Sequence, residues 1–111
     1  MQNICSIHPD ASVEEATHEM ASQGTDALLI KQMDTYTGIF TKTDLIKVLE
    51  KNIDPAEISV SSIMSKPILS LDALTSIDEA QKSMIAKNVR HFAVTQKGKI
   101  TGLISIKDMN L

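Results

Sequence analysis

Apolar residues recur along this chain in two rhythms, and the same succession of rhythms occurs twice. The first succession opens on a short apolar stretch, Ile4 to Ile7, which reads as extended. Val13, Ala16 and Met20 then fall three and four residues apart, the spacing of one helix face. Ser12 stands three residues before Glu15, so a hydroxyl and a carboxylate are placed to cap the first turn of that helix. Gly24 falls where a left-handed residue would end it. The run Ala27-Leu28-Leu29-Ile30 predicts a short buried strand, Met33-Asp34-Thr35 a turn, and Thr37 to Phe40 a second strand. The two strands are close enough in sequence to form a hairpin. A last helix is expected from Thr41 to about Glu50, where Glu50-Lys51-Asn52-Ile53-Asp54-Pro55 reads as a helix stop and a solvated linker.

Sliding the chain by 64 residues aligns the second succession on the first without a gap. Ile4 falls on Ile68, Ser12 on Ser76, Glu15 on Glu79, Ala16 on Ala80 and Met20 on Met84. Thr37-Gly38 falls on Thr101-Gly102, and Asp44 on Asp108. Apolar positions keep the register: Val13 with Ile77, Leu28 with Phe92, Ile30 with Val94, Ile39 with Leu103. Asn88 takes the place of Gly24. The expectation is an α/β (α+β) fold of two strand-helix-strand-strand-helix repeats, 1–50 and 60–111, joined by a linker over 51–59. The last helix of the second repeat is short, and the first lacks the lead-in that the second has in Val60 to Met64. An excerpt from a longer protein is therefore expected.

Composition narrows the function classes. At 111 residues and 42% hydrophobic, the chain can bury a core without disulfide staples. Tyr36, Phe40 and Phe92 are its only aromatics, too few for a base-stacking platform, and a net charge of −3 argues against a general nucleic-acid binder. The single Cys5 forms no CxxC pair and, aligned with Leu69, reads as a small core residue. His8, His18 and His91 are scattered, so neither a metal site nor a nucleophile–base pair is visible. No apolar run approaches the ~18 residues of a membrane span, and the first residues have no leader pattern. A cytoplasmic setting is the expectation, without membrane insertion.

The duplicated unit, the segment Ser62-Ile63-Met64-Ser65-Lys66-Pro67, the stretch Val89-Arg90-His91-Phe92-Ala93-Val94, and the two Gly-x-x-[Ser/Thr]-x-x-Asp endings together carry a resemblance. The chain resembles a tandem pair of CBS domains, a Bateman module, over essentially its whole length. That resemblance implies two repeats related by a pseudo-twofold axis, with clefts between them that often take adenosine-containing ligands. It implies a regulatory role rather than a catalytic one, pairing into homodimers, and attachment to an effector domain that the sequence does not name.

The endings Thr41/Asp44 and Ser105/Asp108 allow two readings. In the simpler one they are capping boxes, a hydroxyl and a carboxylate serving the backbone at a helix start. In the functional one, the same hydroxyl and the free N–H groups receive a phosphate, while the Asp accepts from the vicinal hydroxyls of a ribose. The resemblance assigns that work to these positions. It also places basic side chains near ligand phosphates at Arg90 and His91, where the first repeat has Asp26-Ala27. Residues 1–47 hold seven acidic and three basic side chains, −4, whereas 64–111 hold four acidic and seven basic, +3. Lys66, Arg90 and Lys107 are the best-placed basic residues, with Ile4 and Ile68 completing the candidate ligand-binding set. Asp26 would repel a phosphate, so two unequal sites are expected. The candidate ligands are AMP, ADP, ATP or S-adenosylmethionine, with no cofactor required. A dimerisation module without a small-molecule ligand is the alternative.

Overall fold

The computed structural model describes residues 4–106. They form two compact units, one running from Cys5 to Ile68, the other from Leu69 onward together with Ile4.

In the first unit, β1 (Ser6–Ile7) pairs parallel with β2 (Ala27–Gln32), which pairs antiparallel with β3 (Thr35–Thr41). The crossover between the parallel pair is α1 (Val13–Gln23). Ser12 caps it, its side chain accepting from the Glu15 N–H at 3.0 Å. Gly24 ends it at φ 65°, where a side chain would be strained. Val13, Ala16 and Met20 face inward and meet Leu28, Ile30, Phe40 and Val48 in one core cluster. Cys5 is half-buried and packs against that cluster rather than inside it. Each large side chain so enclosed contributes roughly 1.5–3 kcal/mol.

After α2 (Lys42–Glu50) the chain makes a 3-10 turn at Pro55–Glu57 and a short helix, α3 (Val60–Ile63). The stretch that looked like a solvated linker is only partly so. Glu50, Lys51, Asn52 and Asp54 are exposed, but Ile53 and Ile58 pack against the core and Val60 is buried within it. The Val13 N–H donates to the Ile58 carbonyl at 2.9 Å, and the Val60 N–H to the Ala11 carbonyl at 2.8 Å. A strap from Ile58 to Ser65 is thereby tied to the first unit at both ends. At its far end Ser65 and Ile39 exchange two backbone bonds of 2.8 and 3.0 Å. Gly38 makes this approach possible, because a Cβ there would stand 2.5 Å from Met64 Sδ and 3.1 Å from the Ser65 carbonyl oxygen.

The second unit repeats the topology. β4 (Ser70–Asp72) is parallel to β5 (His91–Gln96), which is antiparallel to β6 (Lys99–Ser105). The register is the same to the residue: Ala27 faces Thr41 as His91 faces Ser105, and the ladder shifts after Ile30 as it does after Val94. The crossover α4 (Ile77–Lys87) is capped by Ser76 and closed by Asn88 at φ 54°. Its Ala80 and Met84 pack with Phe92. Both hairpins are longer than the apolar runs suggested, because Thr35, Tyr36 and Thr41 join β3, and Lys99 and Ser105 join β6. The final helix expected from Ser105 lies outside the described residues, as do Lys107 and Asp108.

Val13 and Ile77 show where the repeats part. They occupy one register position, yet Val13 is 0% exposed and Ile77 51%. Val13 lies beneath the strap, and no described residue takes Ile58's place over Ile77.

Candidate functional site

The first ending sits at the junction of β3 and α2. Thr41 is the last residue of β3 and the N-cap of α2, held extended at φ −126°. Asp44, one turn in, is 4% exposed, and both carboxylate oxygens are engaged. Its Oδ2 accepts from the Thr41 N–H at 2.9 Å and the Thr41 hydroxyl at 3.3 Å. Its Oδ1 accepts from the Ser65 hydroxyl at 3.0 Å. The reach-back of Asp44 to the Thr41 N–H is the capping arrangement, so the simpler reading of this ending is realised. The geometry also joins a carboxylate, two hydroxyls and a helix N-terminus at one point, a set able to receive a polyhydroxylated anion.

The second ending begins at Ser105, which is 2% exposed and faces His91 across the β5–β6 ladder. The fold thus brings together two candidates that are 14 residues apart in sequence. His91 is half-buried with its Nε2 enclosed, and Arg90 beside it is exposed. The Ile106 N–H donates to the Arg90 carbonyl at 2.9 Å, just as the Lys42 N–H donates to the Asp26 carbonyl at 3.2 Å.

That equivalence corrects the reading of Asp26. Its carboxylate is ion-paired with Lys42 Nζ at 3.2 Å, so its negative charge is locally offset. A phosphate nearby would meet a neutralised pair rather than a bare carboxylate. At the matching positions of the second repeat stand Arg90 and Ile106, and Ile106 offers no opposing charge.

Lys66 lies in the exposed loop after the strap, while Ile68 and Ile4 are half-buried. Ile68 falls in the first unit and Ile4 in the second. His8 and His18 are exposed. Among the described residues, no group of three or more His, Cys, Asp or Glu could hold a metal ion, and no helix is long and apolar enough to cross a membrane.

Two contributors escaped the sequence reading. Ser65 is 21 residues from Asp44, and the repeat register sets it opposite Met1, so the duplication carries no signal for it. Lys42 is set opposite Ile106 and is equally silent.

Comparison with known proteins settles the family. The CBS domain model matches residues 1–51 and again 60–110. The chain belongs to the CBS domain family, as a tandem pair. Such a pair is a regulatory module. An uncharacterized protein of Methanopyrus kandleri is 29% identical over 111 residues, covering 97% of this chain and 57% of its own length. The chain thus spans little more than half of that relative. A CBS-domain protein from Burkholderia ambifaria superposes with a TM-score of 0.91 at 31% identity, covering 97% of this chain and 80% of that one. A CBS domain protein from Pyrobaculum aerophilum, complexed with AMP, superposes with a TM-score of 0.85 at 20% identity, covering 97% and 84%.

Proposed function

We propose that this CBS pair is a non-catalytic, ligand-sensing module that binds an adenosine nucleotide and passes the binding event to an attached or partner domain. The observation that carries the reading is the meeting of Thr41 and Asp44 at the start of α2, in a chain of this family. Asp44 supplies the acceptor for ribose hydroxyls, and the Thr41 hydroxyl and the α2 N-terminus receive phosphate. Ser105 and Asp108 repeat the pair in the second half, with Arg90, His91, Lys66 and Lys107 as the basic residues for phosphate, and Ile4 and Ile68 as apolar contacts. AMP, ADP and ATP fit these groups, and S-adenosylmethionine shares the adenosine part. The AMP complex of the Pyrobaculum protein supports the ligand class. A ligand can switch such a module only by binding one of its arrangements more tightly than another. The single cysteine and the ligand class suit a cytoplasmic setting.

The test is a melting-temperature and calorimetric panel with AMP, ADP, ATP and S-adenosylmethionine. A nucleotide at about 100 times its Kd should add roughly 2.7 kcal/mol of stability. Absence of heat and of any melting shift at millimolar concentrations would leave the dimerisation reading in its place. One observation favours that second reading: Ile46 and Leu49 on α2, and Ile77 and Ile85 on α4, are each more than half exposed. Burying such side chains between copies is what a homodimer would do, and light scattering at about twice the 12.1 kDa chain mass would show it.

A further inference from the structure

The starts of α1 and α4 match in backbone and differ in cover. Over α1 the strap runs extended, with Ser59 bridged antiparallel to Ser12. The Val13 N–H donates to the Ile58 carbonyl, and the Val60 and Ser61 N–H groups donate to the Ala11 and Pro9 carbonyls at 2.8 and 3.2 Å. Residues two apart in an extended segment share a side, and Ile58 and Val60 both pack with the cluster that holds Val13. The second unit presents the same framework. Ser76 has φ −67° and ψ 157°, against −73° and 159° at Ser12. The turn before it is closed from the Thr75 N–H to the Asp72 carbonyl, as the first is from Ala11 to His8. Among the described residues, however, no backbone group bonds the Ile77 N–H or the Thr75 carbonyl. Ile77 is half exposed, and Leu74 and Ile85 are 94% and 75% exposed. Those two stand where the first repeat has Asp10 and Ala21, so the open face is also the more apolar of the pair.

We propose that the start of α4, with Leu74, Ile77 and Ile85, is a docking surface for an extended segment of a partner polypeptide that carries apolar side chains two residues apart, as Ile58 and Val60 are. The covered twin supplies the chemistry of the occupant. Its backbone accepts from the Ile77 N–H and donates to the Thr75 carbonyl, and its two apolar side chains close over Ile77. Main-chain bonds of this kind give affinity, and the alternate side chains give specificity. The strap of a second copy is already engaged, tied to its own first unit by three bonds at Pro9 to Val13 and two more at Ile39. The surface lies apart from Thr41 and Asp44, so the inference does not depend on the nucleotide reading.

The experiment titrates a synthetic peptide with the sequence of residues 54–64 into the 15N-labelled chain and follows the amide resonances. The peptide should move the resonances from Leu74 to Ile85 and leave those of Pro9 to Ala16 in place. A peptide with serine in place of the valine, the equivalent of Val60→Ser, should bind about tenfold more weakly or worse, the value of one buried aliphatic side chain. The chain variant Ile77→Ser, shown by circular dichroism to be folded, should lose the response to the same degree. No movement at millimolar peptide overturns the proposal. So does an equal response to a scrambled peptide, or movement at Pro9 to Ala16 alone, which would mean exchange with the chain's own strap. Resonances from Leu74 to Ile85 that shift on dilution without peptide would show that a second copy covers the face, and would also overturn it.

Discussion

Replacing Gly38 by alanine puts one methyl group against the strap. The new Cβ would lie 2.5 Å from Met64 Sδ, 2.9 Å from Met64 Cγ and 3.1 Å from the Ser65 carbonyl oxygen. The first two contacts involve a flexible side chain and can be relieved by a rotamer change. The third is backbone, and that oxygen accepts from the Ile39 N–H at 3.0 Å. If only Met64 moves, the cost is that of mild overpacking, about 1 kcal/mol, at the low end of the usual range. If the strap lifts, the paired bonds between Ser65 and Ile39 weaken as well, at about 1 kcal/mol each, and the cost rises to about 3 kcal/mol. Displacing Ser65 also frees Asp44 Oδ1, so the upper figure is the expected one. Urea denaturation of Gly38→Ala, Met64→Ala and the double variant separates the two cases. Most of the Gly38→Ala loss should persist in the Met64→Ala background, because the carbonyl contact remains. A Gly38→Ala variant within about 0.5 kcal/mol of wild type would refute the claim that glycine is needed for the strap's approach.

Two further outcomes follow from the repeat-to-repeat contrasts. Val13→Ala should cost about 1.5–3 kcal/mol, because its two methyl groups leave a closed cluster, whereas Ile77→Ala should cost less than about 1 kcal/mol at concentrations where the chain is monomeric. Equal losses in a urea series would mean that Ile77 is covered as Val13 is. Met33 holds φ 56° at the first hairpin turn and is 90% exposed, while the matching turn uses Lys97 and Gly98 at φ 54° and 79°. Met33→Asn should therefore raise stability by up to about 1 kcal/mol, since asparagine tolerates the left-handed region and no packing is lost; a lower melting temperature would contradict it.

The duplicated pattern was legible because its causes are local. Helix faces at Val13-Ala16-Met20 and Ala80-Met84, caps at Ser12 and Ser76, and stops at Gly24 and Asn88 each depend on neighbours within a turn or two, and each stands where the spacing put it. The family followed from the order of those pieces. The pairing of Thr41 with Asp44 was readable for the same reason, three residues being one turn of helix.

Other features required the chain to return on itself. Ser65 reaches Asp44 across 21 residues of sequence, and Lys42 meets Asp26 only because β2 and β3 set their ends side by side. The strap buries Val13 and leaves Ile77 open, although the sequence treats them as equivalents. Periodicity records which side of an element is apolar, and the sequence determines that much by itself. What covers that side, and which distant donor reaches a buried carboxylate, depends on residues brought near by tertiary packing, and only the folded chain decides it.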